Sequence, residues 1–183
     1  ERAPSFPDAS VVSFGDPDTR ARLGPLMGSI TAADAAERDA SAYIPFLDAQ
    51  ANVDTSKKIG TQGYCMGGPL IVRTAASQSD RIGAAASFHG GGLVTANENS
   101  PHLLAPKIKA RLLFGWAVED RTMPPEAIEK LKSALDVAGV RYEREVYEGA
   151  RHGWCMSDHR VYNQAQATRA WTKTIAFFKD TLK

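Results

Sequence analysis

The chain has 183 residues, 43% hydrophobic and 23% charged, and this balance predicts one soluble domain with a single sizeable core. Its formal net charge of +1 argues against nucleic-acid and membrane partners, and no apolar run approaches the ~20 residues of a membrane span. The 2 cysteines provide no disulfide framework, which predicts a cytoplasmic protein.

The first third of the chain predicts one long helix. Residues 1–30 are interpreted as an irregular segment with at most a short strand around Ser10 to Phe14. Thr31 and Asp34 predict a capped helix start, and because Pro45 cannot donate an N–H, we expect it to kink or end that helix. The predicted apolar face consists of Ala36, Ala40, Tyr43, Ile44 and Leu47.

A predicted strand over 58–64 leads into the most informative stretch, Gly63-Tyr64-Cys65-Met66-Gly67-Gly68. This is the Gly-x-nucleophile-x-Gly spacing, with cysteine where serine more often stands. We expect a sharp strand-to-helix turn, in which side chains two residues either way of Cys65 would collide. The unpaired N–H groups of the helix start favour a thiolate there, and the Met66 N–H is a candidate oxyanion donor. The alternative is a buried structural cysteine.

Strands and helices alternate through the rest of the chain. The alanine-rich segment 82–88 is predicted to be a buried strand, since a charged turn and three glycines bound it. The apolar run after residue 111 and the segment 140–147 predict two more strands. Two helix faces are predicted, the second as core: Ile128, Leu131, Leu135 and Ala138; and Thr168, Trp171, Ile175 and Phe178.

A cysteine nucleophile needs a base, and four histidines are available. His152 follows a predicted strand in a glycine-flanked loop and is the candidate. His102 and His159 lie in polar, loop-like stretches and are interpreted as solvated. His89 opens a His-Gly-Gly-Gly run, but it follows the nucleophile, whereas the lipase oxyanion motif precedes it. We therefore interpret His89 as a pocket wall.

Asp120 is the candidate partner of His152, because it ends an apolar strand shortly before Pro124. Glu119 is the rival acid. Open α/β sheets place their sites at the carboxyl ends of strands, where both Asp120 and His152 are predicted. The order Cys65, Asp120, His152 is that of the α/β-hydrolases.

Three motifs together, Gly-Tyr-Cys-Met-Gly-Gly, an Asp-x-x-x-Pro turn and Tyr-x-Gly-Ala-x-His-Gly, resemble the dienelactone hydrolase family of α/β-hydrolases. The resemblance implies a mostly parallel sheet flanked by helices. It also implies Cys65 as nucleophile, His152 as base and Asp120 as its partner, cleaving small esters or lactones through an acyl-enzyme without metal or cofactor. We expect a single domain over residues 1–183, with the family-like part at 31–183.

The first departure from the family concerns the sheet. The family places about four more strands before the nucleophile, and the residues ahead of Lys58 leave no room for them. The sequence therefore predicts that the N-terminal strands are missing, and that the exposed sheet edge could pair with a second copy as a homodimer.

The second departure concerns the substrate. Where family members bind the carboxylate of dienelactone with an arginine four residues after the histidine, this chain has Met156. The predicted pocket also contains Tyr64, His89 and Trp154, and it predicts a neutral ester or lactone. Arg121 and Arg151 could still supply a charge.

Two other functions remain open. One is a hydrolase-fold thiol sensor or binding module, with Cys155 as resolving partner of Cys65. The other is a class I glutamine amidotransferase, whose acid follows the histidine at two residues, where this chain has Trp154.

Overall fold

The computed structural model describes residues 16–183, which form five α-helices and four β-strands. The helices are α1 (Pro17–Thr31), α2 (Ala35–Asp48), α3 (Gly67–Ser77), α4 (Pro125–Val137) and α5 (Gln164–Thr181). The strands are β1 (Ile59–Tyr64), β2 (Ile82–Phe88), β3 (Arg111–Ala117) and β4 (Tyr142–Tyr147), with a 3-10 helix at Pro101–Lys107. The strand predicted around Ser10 to Phe14 lies outside the described residues.

The four strands form one parallel sheet in the order β1-β2-β3-β4, which confirms the predicted α/β class. Side chains alternate between its faces: in β3, Phe114 belongs to the core under α3 and α4, whereas Leu113 belongs to the core under α5. Burying each contributes ~1.5–3 kcal/mol. No helix of residues 16–183 is long and apolar enough to cross a membrane.

The alanine-rich strand β2 has the predicted bounds. Ala84, Ala85 and Ala86 are at most 1% exposed, because helices cover the sheet on both faces. Burial on both faces produces a continuous apolar run rather than an alternating one, which is why periodicity alone could not assign this segment.

Two predictions for the first third of the chain are wrong. The segment 1–30 is not irregular throughout, because α1 begins at Pro17 behind the N-cap Asp16, whose carboxylate accepts the Thr19 N–H at 2.7 Å. Pro17 is suited to this first helical position, since its missing N–H would have no partner there. Because α1 extends to Thr31, the N-cap of α2 is Asp34 rather than Thr31.

Helix α2 continues through Pro45 to Asp48, so Pro45 does not end the helix. Proline removes one hydrogen bond, but it lies in the last turn, and the Ala49 N–H still bonds the Pro45 carbonyl at 3.0 Å. The helix buries Ala36, Ala40 and Ile44, whereas Tyr43 and Leu47 are exposed.

Most of the apolar face predicted as core in the last helix is exposed, although Phe178 packs against the core. Trp171 is 53% exposed and Ile175 38%, while α5 buries Ala170, Thr174 and Phe177. The buried face thus combines two smaller residues with Phe177, and the stripe containing Trp171 and Ile175 lies beside it. Trp171 lines a cavity with Tyr64 at the end of β1. Within the described residues β1 pairs only with β2, so its other side is the sheet edge.

Candidate active site

Cys65 lies directly after β1, in a tight turn that we call the elbow (residues 63–68). Its φ of 52° is left-handed, which is uncommon for a residue other than glycine. A Cβ on Gly63 would lie 2.2 Å from the Gly67 carbonyl oxygen, and one on Gly68 would lie 2.6 Å from the Gly90 Cα. A Cβ on Gly67 would meet nothing within 4 Å. The predicted collision therefore holds two residues before Cys65 but not two residues after it.

The structure brings Cys65, His152 and Asp120 together. The Cys65 Sγ lies 3.0 Å from His152 Nε2, and His152 Nδ1 lies 2.8 Å from Asp120 Oδ2. Each residue follows the carboxyl end of its strand, β1, β4 and β3 respectively. The Asp120 side chain is 1% exposed and the His152 side chain 30%, while Cys65 is open to solvent. The Cys65 sulfur is thus the outermost group of a hydrogen-bonded row.

The pKa shifts in this row favour the charged form of each of the three residues. The hydrogen bond to Asp120, followed by that to Cys65, raises the pKa of His152 to about 10. The hydrogen bond from His152, helped by the Met66 backbone N–H, lowers the pKa of the Cys65 thiol. Burial alone would raise the pKa of Asp120, but hydrogen bonds from His152 and Thr122 outweigh it and lower that pKa. The arrangement favours a thiolate beside an imidazolium.

Thr122 was not predicted from the sequence. Its N–H and its hydroxyl donate to Asp120 Oδ1 at 2.9 and 2.6 Å, which leaves Oδ2 free for His152. Its hydroxyl also lies 3.2 Å from His152 Nδ1. The sequence does contain a signal for this contact, Asp-x-Thr, because an aspartate side chain often accepts a hydrogen bond from the backbone N–H two residues later.

Other predicted candidates lie apart from this row. Glu119 is exposed, and so is His159, as expected. His102 is 4% exposed, so its prediction as a solvated group is wrong. The polar stretch that suggested solvent leads into the 3-10 helix, which buries its first two residues, and Ser100 Oγ contacts His102 Nδ1 at 2.7 Å.

The predicted pocket residues occupy different depths. Trp154 and His89 are 0% and 1% exposed, and their ring centroids lie 5.0 Å apart, so both are beneath the surface. Tyr64 is half-buried and Met156 is 41% exposed. Arg121 and Arg151 are exposed.

A cavity of about 390 Å³ is lined by Met66 of the elbow. The junction of α1 and α2 lines one part of it, and the sequence could not place this junction beside the elbow. Its polar lining includes Arg73, whose guanidinium bonds Glu37 at 3.2 Å and also the Asn99 carbonyl. Its described lining residues are Ile30, Thr31, Ala32, Ala33, Ala36, Met66, Pro69, Leu70, Arg73, Gly91, Gly92, Thr95, Asn97, Asn99 and Pro101.

Within residues 16–183, no group of three or more His, Cys, Asp or Glu side chains is arranged to hold a metal ion. Cys155, the second thiol, is half-buried, and burial raises its pKa to about 12.

Comparison with known proteins gives a consistent result. The sequence profile described as "Dienelactone hydrolase family" matches residues 8–182. The chain is 28% identical over 148 residues to "Putative carboxymethylenebutenolidase" of Synechocystis sp., covering 79% of this chain and 59% of that protein. It is 29% identical over 142 residues to "Protein usf" of Aquifex pyrophilus, covering 77% and 58%. The chain thus spans less than two thirds of the length of these relatives.

Solved structures agree on the fold. The structure named "m3DLH" matches with a TM-score of 0.71 and 26% identity, over 91% of this chain and 68% of that one. A dienelactone hydrolase-like promiscuous phosphotriesterase from metagenomic libraries matches with a TM-score of 0.72 and 22% identity, over 87% and 67%. The second likeness concerns the fold alone.

Proposed function

The chain belongs to the dienelactone hydrolase family, and from that premise we propose that it hydrolyses carboxylic esters or lactones with Cys65 as nucleophile. The observation that carries the proposal is the row of hydrogen bonds from the Cys65 sulfur through His152 to Asp120, at 3.0 and 2.8 Å. A nucleophile, a base and an orienting carboxylate in that geometry form the arrangement that acyl transfer requires.

The reaction begins with the Cys65 thiolate attacking the carbonyl carbon, while the negative charge moves to the carbonyl oxygen. The Met66 N–H donates to that oxygen at the start of α3. When the tetrahedral intermediate collapses, the C–O bond breaks and His152 Nε2 gives its proton to the leaving alcohol. Cys65 then carries the acyl group as a thioester.

Deacylation reverses the role of His152. The now neutral imidazole accepts a proton from water, and the resulting hydroxide adds to the thioester carbonyl. Collapse expels the Cys65 thiolate and releases the carboxylic acid, with His152 again cationic. Asp120, held by Thr122, keeps His152 Nδ1 protonated, so that Nε2 faces the reacting atoms in both steps.

A small neutral ester or lactone is the substrate class that we propose. The cavity beside Met66 is large enough for such a molecule. Arg73 is the cation among its described lining residues, and Glu37 already neutralises it at 3.2 Å. An anionic substrate would enter without a free positive partner, which makes its burial costly. Both cysteines are free thiols, and we propose a reducing, cytoplasmic setting for the protein.

The two rival functions have less support. A resolving cysteine attacks as its thiolate, but Cys155 is half-buried with its pKa raised to about 12, which disfavours the thiolate. In an amidotransferase the acid would stand at Trp154, which is 0% exposed and packed among aromatic rings.

The proposal is tested with an activated aryl ester and with mass spectrometry of the protein quenched during turnover. We expect steady release of the aryl alcohol and an acyl adduct on Cys65. Replacing Cys65 by Ala should abolish both, and His152→Ala should lower turnover at least ~10²-fold. His159→Ala, a matched change at an exposed histidine, should have little effect. Unchanged turnover in Cys65→Ala would refute the proposed nucleophile.

A further inference from the structure

His89 holds the backbone of the nucleophile. The Cys65 N–H donates to His89 Nδ1 at 3.1 Å and shares that hydrogen with the Phe88 carbonyl at 3.2 Å. His89 is 1% exposed and directly follows β2, the strand that pairs with the one leading into Cys65. The His89 side chain therefore contacts the elbow and is shielded from solvent.

Both ends of this hydrogen bond have unusual backbone angles. Cys65 has φ 52° and His89 has φ 40°, and these are the non-glycine residues with positive φ in residues 16–183. Such conformations persist when the surrounding structure determines them, and they cluster at functional sites. The His89 N–H bonds the Gly115 carbonyl of β3 at 2.8 Å, so its own backbone is anchored.

The contact also fixes the protonation of His89. Because Nδ1 accepts a hydrogen bond, it carries no proton, and the neutral ring must carry its proton on Nε2. Burial lowers the pKa of His89 to about 4, and the nearby charge of His152 adds to that effect. The two ring centroids lie 5.1 Å apart. A neutral His89 therefore leaves His152 as the cation of the site.

We propose that His89 is a positioning residue, whose unprotonated Nδ1 holds the Cys65 N–H and thereby keeps the Cys65 sulfur within reach of His152. The inference rests on the proposed role of Cys65 as nucleophile. Without Nδ1, the Cys65 N–H would keep only the longer bond to Phe88, and the peptide before Cys65 could rotate. The thiol would then lose part of its contact with His152, which is the main cause of its lowered pKa.

Two substitutions separate the hydrogen bond from the packing of the ring. Asparagine tolerates a left-handed φ and can present its side-chain oxygen as acceptor, whereas phenylalanine keeps a flat ring without an acceptor. The readout is the rate of Cys65 alkylation by iodoacetamide at pH 7, which requires no hydrolytic activity. His102→Phe is the matched control, because it replaces another buried histidine that contacts Ser100 instead of the elbow.

We expect alkylation in His89→Asn to stay within ~3-fold of the unmodified protein and that in His89→Phe to fall ~5–10-fold, the size of one ordinary hydrogen bond. His102→Phe should leave the rate unchanged. Full reactivity in His89→Phe, or equal losses in both His89 variants, would overturn the inference.

A measurement on the unmodified chain keeps the test independent of folding in the variants. Nitrogen-15 NMR at pH 7 should show His89 neutral with Nδ1 unprotonated, and a protonated Nδ1 would overturn the inference. If the tautomer and alkylation results hold while no ester is turned over, the proposed hydrolysis fails and the positioning role stands.

Discussion

The Cys65 sulfur and His152 Nε2 lie 3.0 Å apart, and this contact shifts the two pKa values in opposite directions. It is the largest cause that lowers the pKa of Cys65 and the second largest that raises the pKa of His152. At a pH above the lowered pKa of Cys65 and below the raised pKa of His152, the two residues exist as thiolate and imidazolium. Under the proposed mechanism, Cys65 is then already deprotonated as the nucleophile, and His152 already carries the proton that the leaving alcohol needs.

Cys65 should be the thiol that reacts first. With iodoacetamide below stoichiometry at neutral pH, we expect the adduct on Cys65, because its pKa is lowered while that of Cys155 is raised to about 12. The alkylation rate should rise with pH through the lowered Cys65 pKa and then level off. Peptide mapping by mass spectrometry checks the position, and preferential labelling of Cys155 would contradict it.

Asp120→Asn should shift the alkaline side of the pH profile. The hydrogen bond to Asp120 is the main cause that raises the pKa of His152 to about 10, so its loss lowers that pKa. The imidazolium then loses its proton at lower pH, and kcat/KM should begin to fall at lower pH than in the unmodified chain. Glu119→Gln, next to it but exposed, is the control and should leave the profile unchanged. Equal shifts in both variants would argue against Asp120 as the partner.

Substrate charge should matter through Arg73. We expect a neutral aryl ester to be hydrolysed with higher kcat/KM than its carboxylate-bearing analogue, because Glu37 occupies the Arg73 guanidinium. Glu37→Gln should free that charge and improve kcat/KM for the anionic ester more than for the neutral one. A preference for the anion in the unmodified chain would indicate that another arginine, such as Arg121 or Arg151, reaches the substrate.

The glycines of the elbow should differ in their tolerance of alanine. Gly63→Ala and Gly68→Ala place a Cβ within 2.2 and 2.6 Å of backbone atoms, and overpacking of this kind costs ~1–3 kcal/mol or more. Gly67→Ala meets open space and should change stability by less than ~1 kcal/mol. Urea unfolding of the three variants measures the difference, and similar losses in all three would contradict the steric argument.

The sequence predicts best where one local requirement dominates. Cys65, Asp120 and His152 could be predicted from the elbow and from the carboxyl ends of three strands. These features, and the order of the residues along the chain, can be read directly from the sequence. Thr122 could have been predicted from the local Asp-x-Thr pattern, whereas the contact of His89 with Cys65 joins the ends of two neighbouring strands, which no single segment specifies. The helix faces at Tyr43 and Trp171 were misread for another reason: periodicity identifies an apolar stripe but not which side of it meets the sheet.

Those two misread faces lead to the final prediction, on self-association. Tyr43 and Trp171 are 66% and 53% exposed, and each lines a cavity with a residue of β1, on the α2 and α5 sides respectively. A strand edge flanked by exposed apolar side chains is a template for pairing with another chain. We expect the 183-residue chain, made alone, to form a dimer through this edge.

Size-exclusion chromatography with light scattering tests this prediction. Trp171→Glu places a charge beside the edge and should shift the protein toward the monomer as its concentration falls, because burying an unpaired carboxylate is costly. Val137→Glu is the matched control. Val137 is 88% exposed at the end of α4, which covers the face of the sheet opposite α5. A monomer for the unmodified chain at all concentrations, or equal dissociation by both substitutions, would show that the β1 edge does not mediate association.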